Sequence, residues 1–87
     1  MTTSPWPDQF EAVLRSYLPL LEPQAGLDTD LSLADHGLDS LATVSLLLDL
    51  EDAFGITVPD DRLVATTFAT PKDLWSVVDE LVAGSRT

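Results

Sequence analysis

Apolar residues recur at the three- and four-residue spacing of an amphipathic helix in two stretches, one near each end of the chain. The first stretch begins at Ser4-Pro5-Trp6-Pro7, where proline is tolerated in the first helical turn, and it ends at Pro19. The last begins with Thr70 as N-cap and Pro71 at the first helical position, and we expect Gly84 to end it. The apolar positions are Phe10, Val13, Leu14, Tyr17 and Leu18 in the first helix and Leu74, Val77, Val78, Leu81 and Val82 in the last.

The middle of the chain predicts one long helix and one short helix. Asp39 or Ser40 can open the long helix, which runs to about Phe54, where Gly55 stops it. A short helical piece is expected over about residues 62–65. The long loop over residues 19–38 has four leucines that we expect to anchor it: Leu27, Leu31, Leu33 and Leu38. The predicted fold is therefore all-α, a small four-helix bundle with three main helices, one short helix and a long loop between the first two.

The middle helix carries more apolar residues than one core-facing side needs. At about 100° per residue these residues fall on two stripes. The core-facing stripe comprises Leu46, Leu47, Leu50, Ala53 and Phe54. The outer stripe, centred roughly 150° away on the helical wheel, comprises Leu41, Val44 and Leu48. Three interpretations are open: the last helix or the long loop covers the outer stripe, the protein simply exposes some leucines as small proteins do, or the stripe is a docking face whose acidic surroundings attract basic partners. The acids around and between the stripes are Asp49, Glu51 and Asp52.

Composition narrows the possible classes of partner. The 87 residues suffice for a single domain over residues 1–87, and the 45% of apolar residues suffice for one core. Fifteen Asp and Glu against four Lys and Arg give a net charge of −11, and ten of the acids lie between Arg15 and Arg62. This balance repels nucleic acids and anionic membranes, so proteins with basic surfaces are the expected partners.

Several kinds of chemistry lack the residues they require. The chain has no cysteine and a single histidine, His36, which excludes disulfides, a cysteine nucleophile and multi-histidine metal sites. The N-terminus lacks the pattern of a signal peptide, and no apolar run exceeds three residues, as at 46–48. We therefore expect a cytoplasmic protein that is not an enzyme and that holds no metal.

One motif, Gly37-Leu38-Asp39-Ser40-Leu41, stands at the head of the middle helix, and a second, Phe54-Gly55-Ile56-Thr57-Val58-Pro59-Asp60, stands at its end. With these motifs at this distance, and with this order of helices over nearly the whole chain, the sequence resembles the acyl carrier protein family. In that family the serine that matches Ser40 is esterified by 4′-phosphopantetheine from coenzyme A. The terminal thiol of this arm carries an acyl group as a thioester. A chain without cysteine has no thiol of its own, which agrees with an imported one.

The resemblance implies roles for the neighbours of Ser40. Asp39 would contact the transferase that installs the arm and would also cap the helix, while Gly37 would permit a sharp chain turn and close approach of that enzyme. A phosphodiester on Ser40 would lie at a helix N-terminus, where free N–H groups and the helix dipole favour negative charge. On the local sequence alone, a plain N-cap is the ordinary role of such a serine. The expected partner-binding residues are Leu41, Val44, Leu48, Asp49, Glu51, Asp52 and Arg62.

The motif Gly-Leu-Asp-Ser-Leu is most similar to the corresponding motif in discrete carriers of polyketide and related natural-product pathways. Carriers of primary fatty acid synthesis are often acidic where this chain has Ala42 and Ser45. The resemblance implies three kinds of partner: a phosphopantetheinyl transferase, a loading acyltransferase or ligase, and a ketosynthase or other acyl-processing enzyme. We expect a monomer when no partner is bound, and the short ends favour a free-standing carrier, although an excised domain would look similar. Two alternatives stay open, an aminoacyl or peptidyl carrier and an unmodified acidic helical adaptor.

Overall fold

Three α-helices form the frame of the molecule. The computed structural model describes residues 5–22 and 24–85, so the predicted helix-start residue Ser4 lies outside the described part. The helices are α1 at Asp8–Arg15, α2 at Ser40–Phe54 and α3 at Pro71–Ser85. Short 3-10 helices lie between them at Ala34–His36, Asp60–Arg62 and Ala65–Phe68. The described residues contain no β-strand, which confirms the all-α class, and none of their helices is long and apolar enough to cross a membrane.

α1 is shorter than predicted, yet its last core position is retained. The helix ends at Arg15, and the chain continues in tighter turns, in which the Tyr17 amide donates to the Leu14 carbonyl at 3.0 Å. The Leu18 amide donates in the same way to the Arg15 carbonyl at 3.1 Å. The proline that follows Leu18 disfavours the helical conformation in the residue before it, so the helix tightens and stops early. Leu18 is nevertheless buried, as the apolar spacing predicted.

The predicted short helix over residues 62–65 is instead two 3-10 helices separated by an extended residue. The Thr67 hydroxyl donates to the Arg62 carbonyl at 2.7 Å, which occupies an acceptor that a continuing helix would use. Val64 is extended, with φ −121° and ψ 160°, and its carbonyl accepts from the Thr67 amide at 3.0 Å to begin the next turn. Within the described residues the fold is therefore three α-helices joined by 3-10 turns, without a fourth α-helix.

The other predicted helix ends depend on single capping or helix-ending residues, and all but one of these predictions are confirmed. Asp39 is the N-cap of α2, and Gly55 closes that helix in the left-handed conformation with φ 63°. The Thr70 hydroxyl caps α3 by accepting from the Asp73 amide at 3.2 Å. Gly84 was predicted to end α3, but the helix continues past it. Its backbone lacks the positive φ that a helix-ending glycine takes, so it is an ordinary helical residue.

The core joins all three helices and the long loop. On α2, Leu46 and Leu50 expose no surface, which confirms the core-facing stripe. Its other members, Leu47, Ala53 and Phe54, are half-buried. Aromatic rings extend the core toward the N-terminus: the Phe10 ring centroid lies 5.7 Å from that of Trp6 and 5.1 Å from that of Trp75. The other buried apolar residues are Leu14, Leu18, Leu33, Leu38, Ile56, Val58, Leu74, Val77 and Val78.

The long loop is fastened to the helices along its length. The four predicted anchors all pack on the core, two of them buried and two half-buried: Leu33 and Leu38, then Leu27 and Leu31. Arg15 Nη2 donates to the Ala25 carbonyl at 2.6 Å, which joins the loop to the end of α1. The Leu33 amide donates to the Ala69 carbonyl at 3.1 Å, which joins the loop to the segment before α3. The loop therefore delivers the chain to the start of α2 in a defined position.

Two leucines of α2 that differ in burial test the division between core and surface. Replacing the fully buried Leu50 with alanine should lower the free energy of unfolding by about 2–5 kcal/mol, because the lost side chain leaves a cavity. Replacing Leu48, which is 58% exposed, should change that free energy by less than about 0.5 kcal/mol. Urea unfolding followed by circular dichroism measures both, and equal losses of stability would contradict the division.

Candidate functional site

Ser40 is the first residue of α2, and its side chain is exposed. The residue that caps the helix is its neighbour Asp39, whose carboxylate accepts from the Ala42 amide at 2.8 Å. The plain N-cap interpretation of Ser40 is therefore wrong. No hydrogen bond to Ser40 Oγ is present among residues 5–22 and 24–85, so this exposed hydroxyl is not engaged within the described part of the molecule.

Gly37 makes the sharp turn that the sequence predicted just before Ser40. Its φ is 105°, a value that side chains other than hydrogen rarely tolerate. A Cβ atom at this position would lie 2.8 Å from both Cδ and Cγ of Pro19, so the chain also passes too close for any larger residue. The Leu20 amide donates to the His36 carbonyl at 3.2 Å, which holds the two ends of the loop together beside the turn.

His36 is held within the loop. Its ring lies on the short 3-10 helix before Gly37, and Nδ1 donates to the Ser32 carbonyl at 2.8 Å. The described residues contain no group of three or more acidic, histidine or cysteine side chains placed to hold a metal ion. The groups that the structure does place at this point are the Ser40 hydroxyl and the N-terminus of α2.

The outer stripe of α2 faces solvent. Leu41 is 82% exposed, Val44 57% and Leu48 58%, so the interpretation that another element covers this stripe is wrong. Large apolar side chains that remain exposed in a group are typical of a surface that is covered only when a partner binds. The docking role itself stays a prediction.

A cleft of about 570 Å³ adjoins Ser40. On one side it is lined by residues of α2, among them Val44 and Leu47, and on the other by the segment between and within the last two 3-10 helices. The residues of this second wall that the sequence analysis missed are Leu63, Val64 and Phe68. In the sequence, Leu63 and Val64 are visible as an apolar pair directly after Asp60-Asp61-Arg62. That this pair lies beside Ser40 depends on the fold, so the sequence alone does not show it.

The acids predicted to bind partners have different surroundings. Asp49 accepts a short hydrogen bond from the Tyr17 hydroxyl, and this bond, more than burial or the nearby negative charge, raises the pKa of Tyr17. The Glu51 carboxylate accepts from the Val58 amide at 2.7 Å and so stabilises the turn after α2. Asp52 is exposed, and its carboxylate has no hydrogen bond or ion pair within the described residues.

The described cations are all paired with acids inside the molecule. Arg62, which was predicted to bind partners, forms an ion pair with Glu80 on α3 at 2.5 Å. The other two pairs, at 3.0 Å and 3.2 Å, are Arg15 with Glu11 and Lys72 with Asp30. Because each cation in the described residues is paired with an acid, the excess of acids gives the described part of the molecule a net negative charge.

The start of α2 is suited to a phosphodiester. Within the described residues the amides of Ser40 and Leu41 have no hydrogen-bond acceptor. The Asp39 carboxylate accepts from the Ala42 amide, and the Asp39 carbonyl accepts from the amide and the hydroxyl of Thr43. Free N–H groups at a helix N-terminus stabilise a phosphate through hydrogen bonds and the helix dipole. A family model described as the phosphopantetheine attachment site matches residues 8–77.

The chain belongs to the family of phosphopantetheine-binding carrier proteins. Membership implies a covalently bound 4′-phosphopantetheine group, and it makes the chain a substrate-bearing partner of enzymes rather than a catalyst. Proteins of this kind act with loading ligases and other enzymes.

Individual relatives come from several branches of this family. The chain is 44% identical over 59 residues to the chloroplastic acyl carrier protein 2 of Hordeum vulgare. This alignment covers 63% of the chain and 44% of that relative. The D-alanyl carrier protein of Enterococcus faecalis is 36% identical over 75 residues, with 79% of the chain and 96% of the relative covered. The chain spans less than half of the barley protein and nearly all of the bacterial one.

A similar solved structure is also a carrier–enzyme complex. It holds an engineered Bradyrhizobium japonicum glycine:[carrier protein] ligase with a carrier protein from Agrobacterium tumefaciens and ATP. The match has a TM-score of 0.71 at 30% identity and covers 83% of this chain and 94% of the matched one. The likeness confirms a carrier-protein fold.

Alanine substitution of two glycines that differ in conformation tests whether the turn before Ser40 requires glycine. Replacing Gly37 with alanine should lower the free energy of unfolding by about 1–3 kcal/mol, because a residue with Cβ is strained at φ 105° and meets Pro19. A Cβ atom added at Gly26 would meet no atom within 4 Å, and this glycine has no positive φ, so its alanine variant should be neutral or about 0.4–1 kcal/mol more stable. Thermal unfolding of both variants measures the difference, and identical midpoints would contradict it.

Proposed function

We propose that Ser40 carries the 4′-phosphopantetheine arm and that the chain presents acyl intermediates to enzymes of a polyketide-type pathway. The observation that carries the proposal is that Asp39, and not Ser40, caps the start of α2. Asp39 caps the helix, so the exposed hydroxyl of Ser40 is left for esterification. No other serine among the described residues combines the family motif with the first position of a helix.

The residues around Ser40 have distinct tasks in this proposal. The two free amides at the start of α2 favour the negative charge of the phosphodiester. Gly37 and Pro19 hold the chain in the turn that leads into the helix, so the attachment point is fixed while the arm is free to reach an enzyme. When bound, the arm supplies the thiol for thioester formation, which the chain itself lacks.

The assignment to a polyketide-type pathway rests on the surface of α2. Ala42 and Ser45 stand where carriers of fatty acid synthesis are often acidic, and the outer stripe beside them is exposed. A surface of this kind favours enzymes that recognise apolar side chains close to the arm. The expected partners are a loading acyltransferase and a downstream ketosynthase or other acyl-processing enzyme.

An aminoacyl carrier is the second candidate, and the relatives are the observation that favours it. The Enterococcus faecalis relative is a D-alanyl carrier protein, and the solved complex contains a glycine:[carrier protein] ligase. Under this alternative an ATP-dependent ligase would load a small amino acid onto the same arm. Ser40 and the arm have the same role in both candidates, and only the cargo and the loading enzyme differ.

Two serines of α2 test the attachment site. Wild-type protein incubated with coenzyme A and a broad-specificity phosphopantetheinyl transferase should gain the mass of one arm, as measured by intact-protein mass spectrometry. The Ser40→Ala variant should gain none, because its attachment oxygen is missing, whereas Ser45→Ala, an exposed serine on the same helix, should react like wild type. Modification that persists in Ser40→Ala or maps to Ser32 or Ser45 would falsify the assignment. A wild-type chain that is never modified would support the acidic adaptor instead.

Two loading reactions separate the candidate cargoes. Arm-bearing protein is offered acyl-coenzyme A with a polyketide-type acyltransferase, and in parallel glycine or D-alanine with ATP and a carrier-protein ligase. We expect a thioester-linked acyl group in the first reaction and unchanged mass in the second, because the apolar stripe suits the acyltransferase. Loading only in the second reaction would assign the chain to the aminoacyl carriers. Protein with Ser40→Ala is the control, since neither cargo can be attached without the arm.

A further inference from the structure

A second cleft lies at the opposite end of α2 from Ser40. It has a volume of about 390 Å³, and its walls come from the start of α1, the end of α2 and one side of α3. Phe54, the last residue of α2, lines it, and at 1.5 Å per residue this position is about 21 Å along the helix axis from Ser40. The second cleft and the cleft beside Ser40 have no lining residue in common. It is therefore a separate surface of the molecule.

Two half-buried aromatic side chains line the second cleft. They are Phe54 and Trp75, whose ring centroids are 6.1 Å apart with the ring planes tilted by 58°. Trp75 also packs against the buried ring of Phe10, with centroids 5.1 Å apart. Beside these rings, Gln9 Nε2 donates to the Ala53 carbonyl at 3.1 Å and joins the start of α1 to the end of α2. The core thus holds the rings in place, and a partner would not have to order them.

The second cleft also contains a carboxylate, that of Asp79. This residue lies four positions after Trp75 on α3, so the two side chains are neighbours on one face of the helix. Asp79 is exposed, and its carboxylate has no hydrogen bond or ion pair within the described residues. The three cations of the described part are paired with other acids. The cleft therefore places an acid without a counter-ion beside two aromatic rings.

Aromatic rings next to an unpaired carboxylate are suited to an arginine side chain. A guanidinium group is attracted to the face of an aromatic ring and stacks on it, and its fork of N–H groups matches a carboxylate. An ammonium group is more strongly hydrated and has no planar face to stack, so lysine fits these groups less well. An acidic side chain would be repelled by Asp79, and an apolar one would leave its charge without a partner. The net charge of −11 attracts basic proteins to the molecule in the first place.

We propose that the second cleft is a docking site for an arginine side chain of a partner protein. A second copy of this chain is a poor occupant, because each cation of its described part already pairs with an acid of its own. About 21 Å of helix separates the second cleft from Ser40, so a protein held here leaves the start of α2 open to an enzyme. The inference does not depend on the attachment of an arm, since it rests on Phe54, Trp75 and Asp79 alone.

A short peptide with one arginine between alanines and blocked ends tests the site in the full chain. The indole N–H signal of Trp75 is followed by NMR during the titration, at about 0.15 M salt to screen long-range attraction. We expect a saturable shift at millimolar peptide, with the signal of Trp6, whose Nε1 donates to Glu11 at 3.1 Å, as the reference. The same peptide with citrulline, which has the shape of arginine without its charge, should bind at least about fivefold more weakly. No shift, or equal binding of the two peptides, would overturn the proposal.

Two matched pairs of variants locate the bound arginine. Asp79→Asn should raise the Kd of the arginine peptide about three- to fivefold, whereas Asp61→Asn, an exposed acid outside the second cleft, should raise it less than about 1.5-fold. Phe54→Leu should raise the Kd about threefold because it removes one ring, and Phe68→Leu, in the cleft beside Ser40, should leave it unchanged. Thermal unfolding confirms that each variant is folded at the temperature of the titration. Equal effects within either pair would overturn the proposed contact.

Other occupants of the second cleft would give different results. A Trp75 signal that moves with protein concentration, without peptide, would make a second copy of the chain the occupant and overturn the proposal. The same signal moving in Arg86→Gln, a position outside the described residues, would make the chain's own arginine the occupant and overturn it equally. Modification of Ser40 has no part in these measurements. A chain that never gains an arm would therefore refute the attachment site and not this one.

Discussion

The geometry of the site depends on the turn at Gly37, where the returning loop passes directly against Pro19. Only glycine fits there, because the backbone has φ 105° and a Cβ atom would lie 2.8 Å from the proline ring. The turn aims the chain so that Asp39 reaches the Ala42 amide and Ser40 becomes the first residue of α2. A short-range steric constraint thus determines where the Ser40 hydroxyl lies, and the buried leucines of the loop keep that constraint in place.

α2 has one apolar face that is buried in the core and a second apolar face that is exposed. Leu46 and Leu50 are buried without any exposed area, and they contribute to a core that has little area to spare in a chain of 87 residues. Leu41 and Val44 remain exposed on the same helix, although burying them within the chain would add stability. An exposed apolar stripe of this kind is expected where a helix face binds partners, and for this chain that role stays a prediction.

Net charge and local chemistry act on partners over different distances. The overall charge of −11 attracts basic proteins from beyond contact distance, and physiological salt screens this attraction over about 8–10 Å. Near Ser40 the exposed side chains include the apolar residues Leu41, Val44 and Val64 as well as the Asp39 carboxylate that caps the helix. Charge therefore acts before contact, whereas the exposed apolar side chains near Ser40 can act only at contact distance.

The sequence alone determined the features that depend on neighbouring residues. Asp39, Gly55 and Thr70 were recognisable as helix ends because capping and left-handed turns involve residues only a few positions apart. The spacing of leucines likewise revealed two stripes on α2, and the motif around Ser40 indicated the family. What a residue meets across the fold could not be read in this way. Only the tertiary structure showed that the outer stripe is uncovered, that Tyr17 binds Asp49, and that Leu63 and Val64 face Ser40 across a cleft. It also showed two 3-10 helices where one short helix was predicted, and an α3 that continues through Gly84. These contacts join residues far apart in the chain, and their presence depends on how the helices pack rather than on any local pattern.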